Sequence, residues 1–257
     1  MVDKTLLGRI SSELQAGICT ITFSHPAHNS LPGRLLAELR TAIDQAGQDD
    51  NCKVIILKSG GDRTFCAGAS FDELMAIDNE AQGKTFFLGF AHVINAIRTC
   101  PKFVLGRVQG KCIGGGVGLA SATDYCVATQ FAAVKLSELA VGIGPFVVGP
   151  AVERRLGSGA FQQLSINATA FQSAHWAQQK GLYTEVFDDA DQMDEHLQEL
   201  ATRLASSNPA AMRELKKTSW TGTENWDQLL DERAAISGQL VLSDFSRNAI
   251  AAFKTKK

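Results

Sequence analysis

The chain has 257 residues, of which 45% are hydrophobic and 20% charged, and its formal net charge is −2. A chain of this length buries a sizeable hydrophobic core without disulfides or cofactors. Its charges are mixed and contain no basic run, so nucleic-acid binding is excluded as the main function. The apolar runs are short and interrupted by glycine and proline, so we expect no membrane partner.

The six cysteines are scattered along the chain and form no CxxC pair. The N-terminal stretch MVDKTLLGRISSELQ is polar and contains acidic residues, unlike a secretory leader. We therefore expect reduced thiols and a cytoplasmic protein. The histidine, cysteine and acidic residues do not cluster with metal-ligand spacing, so we expect no metal ion.

Taken in chain order, short apolar or β-branched runs alternate with segments of helical spacing. Strands are predicted at residues 17–23, 53–59, 102–108, 125–129 and 133–137, and helices at 30–48 and 71–98. This alternation predicts an α/β architecture. From residue 173 onward the pattern is mostly helical, with helices predicted at 190–207 and 208–220, and this final part is expected to form a helical layer or an oligomer contact.

The segment GKCIGGGVGLASATD places three consecutive glycines between a predicted strand and a helical run. Without Cβ atoms, the backbone N–H groups of these glycines can approach a ligand closely. A helix N-terminus also favours negative charge. Two interpretations stay open here: an oxyanion site, or a tight strand-to-helix crossing that requires small residues. Nucleotide loops are excluded, because GGGVGL and GIGPFVVG do not fit GxGxxG and GRVQGK is one residue short of a P-loop.

A second turn of small residues, FCAGASFDEL, lies upstream between the strand at 53–59 and the next helix. The two turns can supply one N–H donor each to a thioester carbonyl that becomes an enolate. Preorganised N–H donors in a site that excludes water stabilise the negative charge that develops on the thioester oxygen by roughly 3 kcal/mol each.

Three segments, FCAGASFDEL, GKCIGGGVGLASATD and KLSELAVGIGP, resemble in order and spacing the signature segments of the crotonase (enoyl-CoA hydratase/isomerase) superfamily. The opening HPAHNSLPGRLLAEL, the segment FQSAHWAQQKGLYTEVF and the closing LSDFSRNAIAAFKTKK extend this resemblance over nearly the whole chain. It implies a crotonase-like spiral of ββα units over residues 1–200, which holds the coenzyme A and acyl pocket. A C-terminal helical trimerisation region would follow over residues 201–257.

The resemblance also implies a ligand and an assembly. The ligand is an acyl-CoA thioester, with no cofactor beyond the coenzyme A moiety of the substrate, and the assembly is a homotrimer or hexamer. The oxyanion hole would consist of the N–H groups of Ala69 and Gly115. The turn that holds the adenine end of coenzyme A would comprise Cys66, Ala67, Gly68 and Ser70, where family members often have Asp in place of Ser70. Phe253 and Lys256 resemble residues that reach a coenzyme A on the neighbouring subunit, although a frayed basic tail explains them equally well.

The acidic residues distinguish among the reactions of this family. Two-glutamate hydratases carry one catalytic Glu separated from the triple glycine by a single residue, and another at the end of a later strand. Here Gly118 occupies the first position and Glu138 the second. By the resemblance Glu138 is the general base, with its pKa raised by an apolar pocket, whereas taken alone it is as readily a surface residue.

A single carboxylate can remove a proton from one carbon and return it to another through the same enolate. This pattern slightly favours double-bond isomerisation over hydration. Decarboxylation of an acyl-CoA and a non-catalytic coenzyme A-binding role stay as alternatives.

The remaining pocket candidates are Gly114, Gly118, Gly142, Phe146 and His92. Phe146 stands where some family members carry a further acid, eight residues after the Glu138 position, so the acid of a dienoyl-CoA isomerase and the nucleophile of a dehalogenase are absent. Phe146 and the two valines after it are either pocket lining or core. His92 lies on a helix that borders the acyl pocket in this family, where it would assist water or a substrate carboxylate, unless it merely packs or is solvated.

Overall fold

The computed structural model of the chain describes residues 7–255. In this part of the chain the strands are β1 (Arg9–Gln15), β2 (Ile18–Ser24), β3 (Val54–Ser59), β4 (Thr64–Cys66), β5 (Val104–Val108), β6 (Lys111–Ile113), β7 (Tyr125–Thr129), β8 (Val134–Lys135) and β9 (Glu185–Phe187). The helices are α1 (Gly33–Gln48), α2 (Phe71–Ala76), α3 (Glu80–Thr99), α4 (Gly115–Ala122), α5 (Gly149–Leu156), α6 (Ser158–Ile166), α7 (Ala174–Gln179), α8 (Ala190–Ala205), α9 (Pro209–Ser219), α10 (Trp226–Leu240) and α11 (Asp244–Thr255). A single turn of 3₁₀ helix, Leu139–Val141, lies between β8 and α5.

The strands form two sheets. The larger has the order β1-β2-β3-β5-β7-β9, in which only β1 and β2 are antiparallel, and the smaller has the order β4-β6-β8 and is parallel. The consecutive pairs β3–β4, β5–β6 and β7–β8 each contribute one strand to each sheet, and helical segments follow each pair. This repetition is the spiral of ββα units expected from the sequence.

Hydrophobic packing covers both faces of the larger sheet. α1 and α3 bury their apolar faces in the main core, together with the small sheet. On the opposite face, α8 buries Met193, Leu197 and Ala201 against side chains of β2, β3, β5 and β7. β3 is accordingly almost completely buried, as expected for a central strand of a parallel sheet.

The strands predicted from the sequence are confirmed, with ends that differ by at most a few residues. The predicted helix at 71–98 is two helices, because Asn79 caps α3 by accepting the Gln82 N–H at 3.0 Å. Four strands were not predicted. β1 is a largely exposed edge strand with a polar sequence, and β4, β6 and β9 have only three residues each.

The C-terminal helices pack against the rest of the same chain. α10 crosses α3 where Gly83 meets Gly238, so closely that a Cβ atom on Gly83 would lie 2.6 Å from the Gly238 carbonyl oxygen. α11 contacts α2 and the 3₁₀ turn. Residue 200, the expected limit of the spiral, lies within α8. No helix within residues 7–255 is both long and apolar enough to cross a membrane.

Candidate active site

The three signature segments converge at one edge of the small sheet. The turn at residues 67–70 follows β4, the triple glycine follows β6, and Glu138 is the third residue after β8. Because β4, β6 and β8 are parallel and adjacent, their carboxyl ends lie side by side. In parallel sheets this edge is where ligands commonly bind.

The first two turns touch each other through glycines with left-handed backbone angles. Gly68 has φ +85° and Gly114 has φ +53°, conformations that side chains disfavour. A Cβ atom on Gly68 would lie 3.0 Å from the Ile113 carbonyl oxygen and 3.3 Å from the Gly115 nitrogen. Glycine at position 68 therefore allows the two backbones to approach this closely.

Backbone hydrogen bonds hold both turns while leaving two donors free. The Leu31 N–H donates to the Gly68 carbonyl, and the Gly114 N–H donates to the Lys135 carbonyl, both at 2.8 Å. The N–H groups of Ala69 and Gly115 form no backbone hydrogen bond to any residue that the structure describes. Both residues line the same cavity. The oxyanion hole expected from the sequence would use these two N–H groups.

Glu138 brings the carboxyl group to this cavity. It precedes the 3₁₀ turn, and its Oε1 lies 3.1 Å from the position that a Cβ atom on Gly114 would occupy. The residue as a whole is half-buried, but its Oε2 is buried and has no hydrogen-bond partner among residues 7–255. Desolvation of the carboxyl group raises the pKa of Glu138 from its ordinary value of 4.5 to about 7.

The rest of the cavity is apolar. Aromatic and aliphatic side chains come from α2, α3 and the loop before α5, namely Phe71, Leu74, Phe87, Phe90, Val147 and Val148. Among the described residues that line the cavity, Glu138 alone is titratable, and the other polar side chains are Ser137 and Ser237. Elsewhere in residues 7–255, no group of three His, Cys, Asp or Glu side chains is arranged to hold a metal ion.

The residues expected at the adenine turn differ in position. Ala67 and Gly68 line the cavity, whereas Cys66 and Ser70 do not. The Cys66 Sγ accepts the Gly68 N–H at 3.4 Å, and burial raises the pKa of this thiol to about 12, so it is not a reactive thiolate. Ser70 caps α2, since its Oγ accepts the Glu73 N–H at 3.4 Å. Lys256 and the side chain of Phe253 lie outside the part of the chain that the structure describes.

Two of the five pocket candidates, Gly114 and Phe146, line the cavity. Gly118 instead packs against α5, where a Cβ atom would lie 2.5 Å from Val148 Cγ1. The site of the first glutamate in two-glutamate relatives is therefore closed in this chain. Gly142, with φ +76°, faces α11, where a Cβ atom would lie 2.6 Å from Ser246 Oγ.

His92 lies outside the cavity, on a face of α3 that borders a surface groove between α1 and α3. Partial burial and the nearby Arg40 guanidinium lower the pKa of His92, which favours the neutral imidazole. The helical repeat turns Phe87 and Phe90 toward the cavity and His92 away from it.

Sequence reasoning did not identify the walls contributed by Phe87, Phe90 and Ser237. The two phenylalanines lie three residues apart in FFLGF, a spacing that places them on one face of a helix and offers a signal. Ser237 lies on α10, almost a hundred residues from Glu138 along the chain. Only the close crossing at Gly83 and Gly238 brings it to the cavity, so no local pattern indicates it.

Comparisons with known proteins indicate the family of this chain. A family model described as enoyl-CoA hydratase/isomerase matches residues 13–256. A peroxisomal Δ(3,5)-Δ(2,4)-dienoyl-CoA isomerase of Arabidopsis thaliana is 26% identical, covering 96% of this chain and 94% of the relative. A short-chain-enoyl-CoA hydratase of Clostridium acetobutylicum is also 26% identical, covering 98% and 96% of the two chains.

Solved structures show the same fold. The crystal structure of an enoyl-CoA hydratase from Bacillus halodurans superposes with a TM-score of 0.87 at 20% identity, covering 95% of this chain and 99% of the other. That of an enoyl-CoA hydratase/isomerase from Pseudoalteromonas atlantica has a TM-score of 0.85 at 22% identity, covering 96% and 97%. With the family match over nearly its whole length, the chain belongs to the enoyl-CoA hydratase/isomerase family of enzymes, within the crotonase superfamily.

Proposed function

We propose that this protein moves the double bond of an enoyl-CoA thioester, with Glu138 as the sole proton carrier and the N–H groups of Ala69 and Gly115 as the oxyanion hole. One observation carries the proposal. Among the described residues, Glu138 is the only titratable group that lines this apolar cavity, and its buried Oε2 accepts no hydrogen bond from any of them. A general base is most effective when its pKa lies near the working pH, and about 7 meets this condition.

The reaction follows from these groups. The Glu138 carboxylate removes a proton from C2 of a 3-enoyl-CoA, and the electron pair of the C–H bond shifts to the thioester oxygen, giving a dienolate. The two N–H groups stabilise this oxyanion. The Glu138 carboxylic acid then returns the proton to C4 as the enolate collapses. The double bond has moved from C3–C4 to C2–C3, and the enzyme is regenerated.

Isomerisation is favoured over hydration because Gly118 faces Val148 rather than open space. A glutamate side chain cannot be accommodated there without displacing α5. Phe146 lines the cavity at the position where a dienoyl-CoA isomerase would carry a further acid. We therefore do not propose dienoyl-CoA isomerisation, although the Arabidopsis relative carries that name. Hydration is the second candidate, because the Clostridium relative carries that name over almost its full length.

The assembly we propose is a homotrimer or hexamer, with coenzyme A held by the turn at residues 66–70. Phe131, Ile166 and Phe245 support an oligomer, because these large apolar side chains are well exposed on the single chain. Phe253 and Lys256 would contact the coenzyme A of a neighbouring subunit. Sedimentation velocity with and without coenzyme A tests this part independently of turnover.

The experiment that tests the reaction measures two rates on the same preparation: conversion of a 3-enoyl-CoA to the 2-enoyl isomer, and hydration of crotonyl-CoA. We expect the higher kcat/KM for isomerisation. Glu138→Gln should lower it by about 10²- to 10⁴-fold, the usual contribution of a general base. Glu214→Gln, on an exposed part of α9, is the matched control and should retain the wild-type rate.

Three results would contradict the proposal. A wild-type enzyme that hydrates crotonyl-CoA faster than it isomerises would assign the hydratase reaction. Full activity in Glu138→Gln would remove this carboxyl group from the mechanism. Binding of coenzyme A without turnover of either substrate would indicate a non-catalytic family member.

A further inference from the structure

A second concave site lies toward the opposite end of α4 from the cavity, where strands of the large sheet begin. This groove has a volume of about 640 Å³ and is bordered by the first residues of β5 and β7 together with α5, α8 and α9. It shares no lining residue with the active-site cavity. Small-molecule sites commonly have volumes of about 300 to 1,000 Å³.

Two arginines give the groove a positive charge. Arg154 and Arg155 line it from the last turn of α5, and neither forms an ion pair with any acid among the described residues. Each donates a hydrogen bond to a backbone carbonyl, Arg154 to Ser219 and Arg155 to Thr123. A guanidinium group has five N–H donors in a planar fork, so both keep donors for a ligand.

The one carboxylate in the groove is already neutralised. Asp124 pairs with the buried Lys216 ammonium at 2.8 Å and accepts the Trp220 Nε1–H at 2.9 Å. The Arg154 guanidinium also stacks over the Trp220 ring, 5.4 Å from its centroid, which holds this cation at the rim. Backbone hydrogen bonds and also the nearby Arg154 lower the pKa of the exposed Glu224 carboxyl group, although these two side chains form no ion pair. The lining charges without an ion-pair partner among the described residues are therefore the two guanidinium groups.

A buried hydroxyl group in the groove has no hydrogen-bond partner in the described part of the chain. Ser121, near the C-terminal end of α4, is only 1% exposed, and its Oγ forms no hydrogen bond with any described residue. Buried polar atoms are nearly always paired, and leaving one unpaired costs free energy that a hydrogen-bonding ligand would recover. This hydroxyl group is independent of the arginines and indicates the same kind of ligand, one that offers a polar atom.

Most of the remaining wall is apolar, with Thr123, Tyr125 and Ser219 as its polar members. The apolar side chains are Phe103, Leu105, Leu200, Leu204 and Leu215. Leu215 is 60% exposed, so binding of an apolar group would remove its surface from water. The groove thus combines an apolar wall with a cationic rim and a free hydroxyl group.

We propose that this groove binds an amphipathic carboxylate, a medium-chain fatty acid anion in chemical class. Its carboxylate would accept hydrogen bonds from Arg154, Arg155 and the Ser121 hydroxyl group, and its hydrocarbon chain would lie along the leucines of α8 and α9. A planar carboxylate matches the guanidinium fork, and a purely polar anion would leave the apolar wall unused. The positive charge of the two arginines disfavours a cation. A neutral alcohol would bind the apolar wall but would lack the carboxylate that the arginines favour.

The test titrates the full-length protein with octanoate, monitored by isothermal calorimetry and by tryptophan fluorescence, because Trp220 lines the groove. Octylamine and octan-1-ol serve as cationic and neutral probes of equal chain length. We expect saturable binding of octanoate, weaker binding of the alcohol and none of the amine. Raising the salt concentration should weaken octanoate binding, since the guanidinium groups are at the rim.

Binding measurements on three variants test whether octanoate occupies this groove. Arg154→Gln should weaken octanoate binding roughly tenfold or more, as expected for the loss of a hydrogen bond to a charged group. Ser121→Ala should weaken it by a smaller factor. Arg213→Gln removes an exposed arginine of the neighbouring α9 that does not line the groove and should bind as the wild type does. Near-ultraviolet circular dichroism verifies that each variant is folded.

Three results would overturn the proposal. They are the absence of saturable octanoate binding, equal affinity for octanoate and octan-1-ol, and wild-type affinity in both Arg154→Gln and Ser121→Ala. A change of oligomeric state in Arg154→Gln would also overturn it, because the groove would then be an interface between copies of this chain.

Discussion

Replacing Glu138 by Gln should raise the stability of this protein while it lowers activity. Glutamine has nearly the shape of glutamic acid and is neutral at every pH, so it imitates the protonated form of the carboxyl group. In the wild type this group is desolvated in an apolar cavity, and its Oε2 has no partner. Ionised Glu138 is therefore a buried charge that the native protein tolerates at a cost.

The cost follows from the two pKa values. The pKa of Glu138 is about 7 in the folded protein, against an ordinary value of 4.5. A tenfold difference in proton affinity corresponds to about 1.4 kcal/mol, so the two values differ by about 3 kcal/mol. The folded state binds the proton more tightly, so this stability is fully present below pH 4.5. It is lost as the pH rises through 7, where the native carboxyl group also ionises.

The assay measures the free energy of unfolding by urea at constant protein concentration, for the wild type, Glu138→Gln and the control Glu214→Gln, from pH 5 to 8.5. We expect Glu138→Gln to become more stable than the wild type as the pH rises, by about 3 kcal/mol above pH 7. The control should follow the wild type throughout. In the same range, kcat/KM of the wild type should rise with pH and level off above about 7, because the base must be ionised.

A stability difference between Glu138→Gln and the wild type that does not change between pH 5 and 8.5 would refute the reasoning. The carboxyl group would then titrate alike in the folded and unfolded chains, as an exposed glutamate does. A kcat/KM that is flat across pH 7 would separately remove the ionisation of Glu138 from the rate.

The remaining predictions concern the packing around the site. Gly114→Ala should lower kcat/KM and the free energy of unfolding by urea, because the φ of +53° at this position is unfavourable for alanine. An unchanged kcat/KM and unfolding free energy would show that alanine is accommodated there without strain. Lys216→Met should cost about 3 to 5 kcal/mol of unfolding free energy, because it leaves the Asp124 carboxylate buried and unpaired; a cost below 1 kcal/mol would refute this. Gly118→Glu should lower the melting temperature, and Val148→Ala in the same chain should recover part of the loss, unless the helix shifts to make room.

The sequence by itself determined much of this protein. Local hydrophobic periodicity indicated the buried strands of the large sheet, because a strand covered on both faces must be apolar along its length. The order of the glycine turns and of Glu138 identified the family and its candidate chemical groups. The short strands β4 and β6 gave no such signal, although the two turns depend on them.

Only the tertiary structure decided which of these groups meet. It brings the turn after Gly68 against Gly115 and leaves the Glu138 oxygen without a partner in an apolar cavity. It also closes the space beside Gly118 and turns His92 away from the cavity. The physical reason is that hydrophobic periodicity is a local property of the chain. Desolvation and the approach of two backbones depend on segments distant in sequence, and these become neighbours only when the two sheets and the C-terminal helices pack.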